Sequence, residues 1–187
     1  MQFPDSIQRV IVIDASVLIN LLASLAPSAV LGALGAKCIV EEKTLAEVTK
    51  HPVSGRDHKN ELRQLIDESL LESLKMSDSQ YERFVELVSG DVSDALGDGE
   101  SAAIALASDM NAMLALDDRK ARRIVGERFP NLTVISSLKL FSETRRPGGL
   151  KAGEVTKVVN NAISHGRMRI IHDEIWLLEE LRKTQIP

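Results

Sequence analysis

The sequence predicts an α/β fold, in which a central parallel sheet is flanked by helices. Four short apolar runs alternate with longer segments of helical periodicity. Strands that alternate with helices are typical of a parallel sheet, because each helix returns the chain to the start of the next strand. Of the 187 residues, 44% are hydrophobic and 27% charged, which suits one domain with a buried core.

The four apolar runs are the predicted strands. RVIVID, at residues 9–14, is largely apolar and β-branched, as expected of a strand covered on both faces. The others are predicted at residues 37–40, 112–116 and 132–135. The run AMLAL at 112–116 has the weakest strand propensity of the four, and its assignment depends on its context.

Amphipathic spacing predicts the helices. In KNELRQLIDESLLESL, for example, Leu62, Leu65, Ile66 and Leu70 recur at helical intervals. Helices are predicted at residues 16–25, 42–51, 59–74, 79–89, 100–110, 119–129, 153–166 and 172–183.

The turn RRPGG at residues 145–149 ends the alternation. We therefore divide the chain into a domain over residues 1–147 and a C-terminal helical extension over residues 148–187. A segment this short seldom folds alone, so the extension is expected to pack on the domain. The apolar residues expected to make that contact are Ile175, Trp176, Leu177, Leu178 and Leu181.

Composition narrows the classes of function. The formal net charge is −4 and aromatic residues make up 3% of the chain, which disfavours a protein that coats nucleic acid or stacks many bases. The single cysteine, Cys38, allows no internal disulfide. No apolar run approaches the roughly 18 residues of a membrane span, and the first residues lack a signal-peptide pattern. A cytoplasmic protein without a membrane partner is therefore expected.

Acidic residues follow two of the predicted strands. Asp14 ends the first run, and Asp117 and Asp118 come directly after the third. Ligands of open parallel sheets bind at the carboxyl ends of the strands, so these acids are predicted to meet at one edge. Glu100, which opens the helix before the third strand, and Glu47, in the helix after the second, are candidates for the same edge.

Carboxylates that converge repel one another unless they hold protons or cations. An all-oxygen ligand set suits Mg²⁺ or Mn²⁺, and such ions promote phosphodiester cleavage. Helix capping is the alternative interpretation for Asp14 and for one of Asp117 and Asp118, and an ordinary solvated helix is the alternative for Glu47. In the stretch GDGESAAIALA, Asp98 is predicted to cap the helix and Glu100 to bind the metal ion.

Four segments resemble the motifs of the PIN-domain ribonucleases, the group that includes VapC-type toxins of toxin–antitoxin pairs. In chain order these segments are VIVIDASVLINLL, EEKTLAEVTK, GDGESAAIALA and LALDDRKAR. The segment LKAGEVTKVVNNAISHGRMRI is similar to the extension of a prokaryotic branch of PIN-like proteins. The likeness covers most of residues 8–141, and four motifs in order make a more specific signal than any one of them.

The resemblance implies a three-layer fold with a central parallel sheet of about four strands, and endonucleolytic cleavage of RNA that depends on Mg²⁺ or Mn²⁺. Asp118 is preferred to Asp117 as the fourth acid, because the family's acid is usually followed by a basic or polar residue, here Arg119. The implied catalytic residues are Asp14, Glu47, Glu100 and Asp118. The implied metal ligands are Asp14, Glu100, Asp117 and Asp118.

The resemblance also implies partners. These are an RNA substrate, a second copy of the chain in a homodimer and, for a toxin, a cognate antitoxin. The candidate substrate-binding residues are Ser16, Arg119, Lys120 and Arg122. A solvated helix face with ion pairs is the alternative interpretation of this basic cluster. Two further pairs, Arg145 with Arg146 and Arg167 with Arg169, are weaker candidates for the same role.

Other classes of protein fit less well or stay open. A haloacid-dehalogenase-like phosphatase needs a second Asp two residues after the first, where this chain has Ser16. A catalytically inactive PIN-like module that binds protein or RNA remains the alternative to an enzyme. Metal binding distinguishes the two, because a scaffold needs no cation.

Overall fold

The computed structural model describes residues 9–48, 58–90 and 95–183. Its strands are β1 (Val10–Ile13), β2 (Lys37–Glu41), β3 (Glu72–Leu74), β4 (Met113–Ala115) and β5 (Val134–Ile135). They form one parallel sheet in the order β3-β2-β1-β4-β5. The predicted α/β class and parallel sheet are therefore confirmed.

Helices connect the strands and cover the sheet. The first six are α1 (Ala15–Ala23), α2 (Pro27–Leu34), α3 (Glu42–Glu47), α4 (Lys59–Asp67), α5 (Asp78–Val88) and α6 (Asp98–Met110). The rest are α7 (Arg119–Arg128), α8 (Ser137–Ser142), α9 (Ala152–Gly166) and α10 (Ile175–Lys183), with a 3₁₀ turn at His172–Glu174. The sequence did not predict α2 and α8, and the end of the helix predicted at 42–51 lies outside the described residues.

The fifth strand corrects the prediction of about four. A single helix was expected over residues 59–74, but α4 ends at Asp67 and Ser69 takes a left-handed backbone conformation with φ 56°. The chain then pairs Glu72 and Leu74 with β2. The prediction failed because the apolar spacing of the helix continues past its end, while β3 is a three-residue edge strand with no fully buried side chain.

Side chains of the central strand β1 alternate between the two faces of the sheet, and each face is covered by a layer of helices. Ile11 and Ile13 join the apolar cluster formed with α1, α2, α4, α8, α9 and α10. Val12 points to the opposite face, into a cluster with α6 and α7. Because successive side chains of a strand alternate between faces, a strand that is buried on both sides must be apolar throughout.

Helices of the C-terminal region share the first of these cores. Val155, Val159 and Ala162 of α9 are fully buried in it, and Leu177 and Leu181 of α10 join them. The expected burial was wrong for two residues of α10, since Ile175 is 44% and Trp176 60% exposed. The division of the chain at residue 147 stays a prediction.

No single helix in residues 9–48, 58–90 and 95–183 is long and apolar enough to cross a membrane. Helices α1 and α2 together meet the length and composition of a span, but the chain bends by 117° between them.

Gly166 allows the end of α9 to lie against α1. A Cβ atom at this position would come within 2.7 Å of Asn20 Oδ1 and 2.9 Å of the Ala23 Cβ. These distances are shorter than real Cβ contacts allow, so any larger residue would force the two helices apart.

We expect Gly166→Ala to lower the free energy of unfolding by about 1–3 kcal/mol, the usual cost of overpacking. The matched control is Gly126→Ala in α7, where an added Cβ meets no atom within 4 Å. That control should stabilise the protein by about 0.5–1 kcal/mol through helix propensity. Urea unfolding of both variants tests the pair; equal effects would contradict the close approach.

Candidate active site

The pairing of β1 with β4 brings two acidic segments to one edge of the sheet. Ile13 lies opposite Ala115, and the backbone N–H of Asp14 donates to Ala115 O at 3.1 Å. Asp14 therefore leaves β1 beside the point where Asp117 and Asp118 follow β4. The pairing of the two strands therefore brings these acids to the same edge of the sheet, as their parallel direction predicts.

Asp14 is a buried carboxylate at the start of α1. Its side chain is the N-cap, accepting hydrogen bonds from the Val17 N–H at 2.8 Å and from the Ser16 hydroxyl at 2.9 Å. Burial raises the pKa of Asp14 to about 7, and the negative charges of Asp117 and Glu100 add to the rise. The Asp14 carboxylate therefore caps α1 and also has the raised pKa of a buried acid.

Asp117 is held by three hydrogen bonds. One oxygen accepts from the Ser137 N–H at 2.8 Å, and the other accepts from the Ser137 hydroxyl at 2.6 Å and from Asn20 Nδ2 at 2.9 Å. Burial raises the pKa of Asp117, while these donors and the Arg122 charge oppose the rise. The carboxylate is thus fixed in position by residues from α1 and α8.

Of the two acids that follow β4, Asp118 takes the capping role, and its role as a metal ligand stays a prediction. Asp118 is the N-cap of α7 and accepts from the Ala121 N–H at 2.8 Å. Its negative charge also contributes to the raised pKa of Glu100. Both acids line one large cavity, of about 1010 Å³.

The prediction that Asp98 caps the helix in the stretch GDGE is wrong. Gly97, not Asp98, is the N-cap of α6, and Asp98 is its first residue. The carboxylate that turns back over the helix start is that of Glu100, which accepts from the Gly97 N–H at 3.3 Å. Burial raises the pKa of Glu100, as do the charges of Asp118 and Glu47.

Glu47 reaches this edge from α3. It accepts a hydrogen bond from the Gly99 N–H, and burial raises its pKa. A Cβ at Gly99 would lie 2.5 Å from Glu47 Oε2, so the glycine leaves room for the carboxylate. Glu47 is not among the residues that line the large cavity, although its charge acts on Glu100.

The cavity of about 1010 Å³ is lined by three of these acids, Glu100, Asp117 and Asp118, whereas Asp14 is 1% exposed and is not part of the lining. Its lining includes Ser16, Glu100, Asp117, Asp118, Arg119 and Arg122, together with residues 166–173. Six of the main sequence candidates thus line the cavity, and the other three, Asp14, Glu47 and Lys120, do not.

Only part of the predicted basic cluster lies at the cavity. Arg119 and Arg122 line the cavity, and Arg122 also donates to Leu116 O at 2.9 Å. Lys120 instead donates to Ala95 O at 2.6 Å, although its charge lowers the pKa of Glu100. Arg146 donates to Ala33 O at 2.6 Å and is not part of the cavity lining.

Sequence reasoning missed Asn20 and Ser137. Asn20 is 5% exposed and stands in the otherwise apolar run VLINLL. A buried polar residue needs a partner, so its position in that run was the available signal. Ser137 carried no such signal, because a serine after a strand is commonplace.

The donor set fits a hard divalent cation. It consists of carboxylate oxygens, and the groups that donate to the buried Asp14 are neutral. Within the described parts of the chain, no three Asp, Glu, His or Cys side chains form a group that could hold an ion. Since Mg²⁺ commonly binds through one or two carboxylates and keeps several waters, the arrangement fits a site completed by water.

A family model described as a PIN domain matches residues 10–181. Comparisons with the curated proteins and with the solved structures gave no match.

The raised pKa of Asp14 predicts how stability changes with pH when no metal ion is present. The folded protein retains a proton that the unfolded chain releases near the usual pKa of 3.8, until the pH passes about 7. The free energy of unfolding must therefore fall as the pH rises through this window. We expect a loss on the order of a few kcal/mol from this group.

Urea unfolding in the presence of a chelator, at the two ends of this window, measures the effect. Asp14→Asn should show a smaller loss, because the amide does not titrate and its oxygen still accepts from Val17. An identical pH dependence in the two proteins would assign the loss to other groups.

Proposed function

Because this chain belongs to the PIN-domain family, we propose that it is an endoribonuclease that hydrolyses RNA phosphodiester bonds with Mg²⁺ or Mn²⁺. The observation that carries the proposal is the buried Asp14 carboxylate, whose ionised form is disfavoured by the negative charges of Asp117 and Glu100. Burying like charges together is costly unless a cation neutralises them. Asp117 and Glu100 line a cavity together with Arg119 and Arg122, and the buried Asp14 is close enough for the charges of the two acids to raise its pKa. Acids and arginines side by side are the combination that a phosphate-cleaving site needs.

The metal ion would be held by one or two of the four acids Asp14, Glu100, Asp117 and Asp118 and by water, with Glu47 assisting through its charge on Glu100. When bound, Mg²⁺ or Mn²⁺ supplies Lewis-acid chemistry that activates water and stabilises the charge developing on the phosphate. Oxygen ligands on short, hydrogen-bonded side chains favour such ions over softer metals.

The remaining residues would position these acids and the substrate. Ser16 and the Val17 N–H fix the orientation of Asp14. Arg119 and Arg122 offer guanidinium groups to the RNA phosphate, which they can bind through two hydrogen bonds each. Their place at the start of α7 sets them beside Asp118.

The second candidate function is a PIN-like module that has lost catalysis. One observation favours it: within the described residues, no three acidic, His or Cys side chains are arranged to hold an ion. Calorimetric titration with Mn²⁺ decides between the two, because an inactive scaffold would bind none at this site.

We expect Asp14→Asn to abolish metal-dependent cleavage of single-stranded RNA. Lost metal chemistry is worth several kcal/mol, which corresponds to a rate loss of more than about a hundredfold. Folding should persist, because the amide keeps the shape of the residue and the N-cap bond to Val17. Gel assays with Mn²⁺ and with chelator measure cleavage, and calorimetry measures metal binding.

Asp78→Asn is the matched control, since Asp78 is exposed in the first turn of α5 and is not part of the cavity lining. It should cleave RNA at the wild-type rate. An Asp14→Asn protein as active as this control would show that the site is misplaced.

We expect Ser137→Ala to weaken Mn²⁺ binding roughly 10- to 100-fold, as removal of a group that orients a metal ligand usually does. The substitution deletes the hydroxyl that donates to Asp117 at 2.6 Å but leaves the backbone donor in place. Calorimetric titration measures the affinity. The control is Ser142→Ala at the other end of α8, whose hydroxyl donates to Lys139 O; equal affinity in the two variants would rule out a role for Ser137.

A further inference from the structure

We propose that Arg167 and Arg169 form a phosphate-binding site for the RNA strand, in the wall of the cavity that the C-terminal region supplies. Residues 167–173, which we call the strap, follow α9 and include the first two residues of the 3₁₀ turn. They line the same cavity as Glu100, Asp117 and Asp118. The inference rests on the proposed function, since the phosphates it concerns are those beside the bond to be cleaved.

The strap is fixed to the core between its two arginines. Met168 is 5% exposed within the core, and Ile170 packs against the same cluster. Arg167 and Arg169 are exposed on either side of Met168. At the far end, the Ser136 hydroxyl donates to the Glu174 carboxylate. The two guanidinium groups are therefore carried on an anchored backbone and not on a loose tail.

Neither strap arginine uses its side chain for structure, although the backbone N–H of Arg167 caps α9 by donating to Ala162 O. Through residues 9–48, 58–90 and 95–183, the side chains of Arg167 and Arg169 make no ion pair or hydrogen bond. Outward-facing arginines of α7 differ, because Arg123 pairs with Glu127 at 2.8 Å and Arg128 lies 3.9 Å from Glu86. Exposed arginines that line a cavity without a protein partner are available to an anionic ligand.

The cavity's own charges identify that ligand. Its lining holds the carboxylates of Glu100, Asp117, Asp118 and Asp173, and the guanidinium groups of Arg119, Arg122, Arg167 and Arg169. A bound cation would cancel part of the acidic charge and leave the arginines in excess. Basic residues on two separate elements, α7 and the strap, suit a ligand with several phosphates in a row, as a nucleic-acid strand has.

Apolar lining between the charged groups suits the same ligand. Ile19, Ile170 and Ile171 contribute to the cavity surface. A nucleotide strand presents sugars and base faces next to its phosphates, so it can cover these side chains while the arginines bind its backbone.

The test compares Arg167→Ala/Arg169→Ala with Arg182→Ala, which removes an exposed arginine of α10 that is not part of the cavity lining. Arg167 already has a left-handed φ of 56°, so alanine there adds no new backbone strain. The probe is a fluorescein-labelled single-stranded RNA, whose binding is followed by anisotropy in Ca²⁺, an ion that also takes oxygen ligands. Cleavage of the same RNA in Mn²⁺ and calorimetric Mn²⁺ binding are measured in parallel.

We expect the double variant to bind RNA at least about tenfold more weakly than the control. The slope of log affinity against log salt should become shallower by about 0.7 for each lost phosphate contact. Mn²⁺ affinity should be unchanged, and the loss of cleavage should fall on KM more than on kcat. Arg167→Lys/Arg169→Lys should restore most of the salt slope, because lysine keeps the charge.

Equal RNA affinity and equal salt slope in the double variant and the Arg182→Ala control would overturn the inference, while cleavage by the wild type would leave the proposed function standing. A wild-type protein that binds RNA through the strap but cleaves none in Mn²⁺ would overturn the proposed function and retain the strap site. A wild type that binds no RNA would overturn the strap site.

Discussion

The parallel pairing of β1 with β4 is the constraint on which the site depends. Because both strands run in the same direction, each delivers its following residues to the same edge, and the bond from the Asp14 N–H to Ala115 O fixes the two exits side by side. The carboxylates that follow the two strands therefore lie close to one another. Their burial carries a cost that hydrogen bonds from Ser16, Ser137 and Asn20 offset only in part, since the pKa values of Asp14 and Asp117 stay raised.

The sequence was sufficient where one physical rule acts alone. An unbroken apolar run predicted β1, because only a strand covered on both faces requires one, and strand direction then placed Asp14, Asp117 and Asp118. It was insufficient where two rules compete. Helical spacing continues past α4 into β3, and GDGE offers two acids for one helix start. In each case tertiary contacts decided the outcome: pairing with β2 created the strand, and Glu100 turned back to Gly97.

Residues that position other residues of the site were the hardest to predict from the sequence. Asn20 and Ser137 come from helices that are far apart in the chain, and both donate to the same oxygen of Asp117. The strap is a similar case. Its arginines were visible as isolated basic residues, but their shared cavity with α7 follows only from the packing of α9 against α1.

Asn20 has a consequence that reaches beyond the acids. Its Nδ2 donates to Asp117, while its Oδ1 lies so close to Gly166 that no Cβ would fit between them. One side chain thus connects the end of α9, from which the strap begins, to the carboxylate at the end of β4. A displacement of this side chain would therefore be felt at both places. A ligand that holds α9 against α1 and a cation that requires Asp117 in place would favour each other's binding by the same factor.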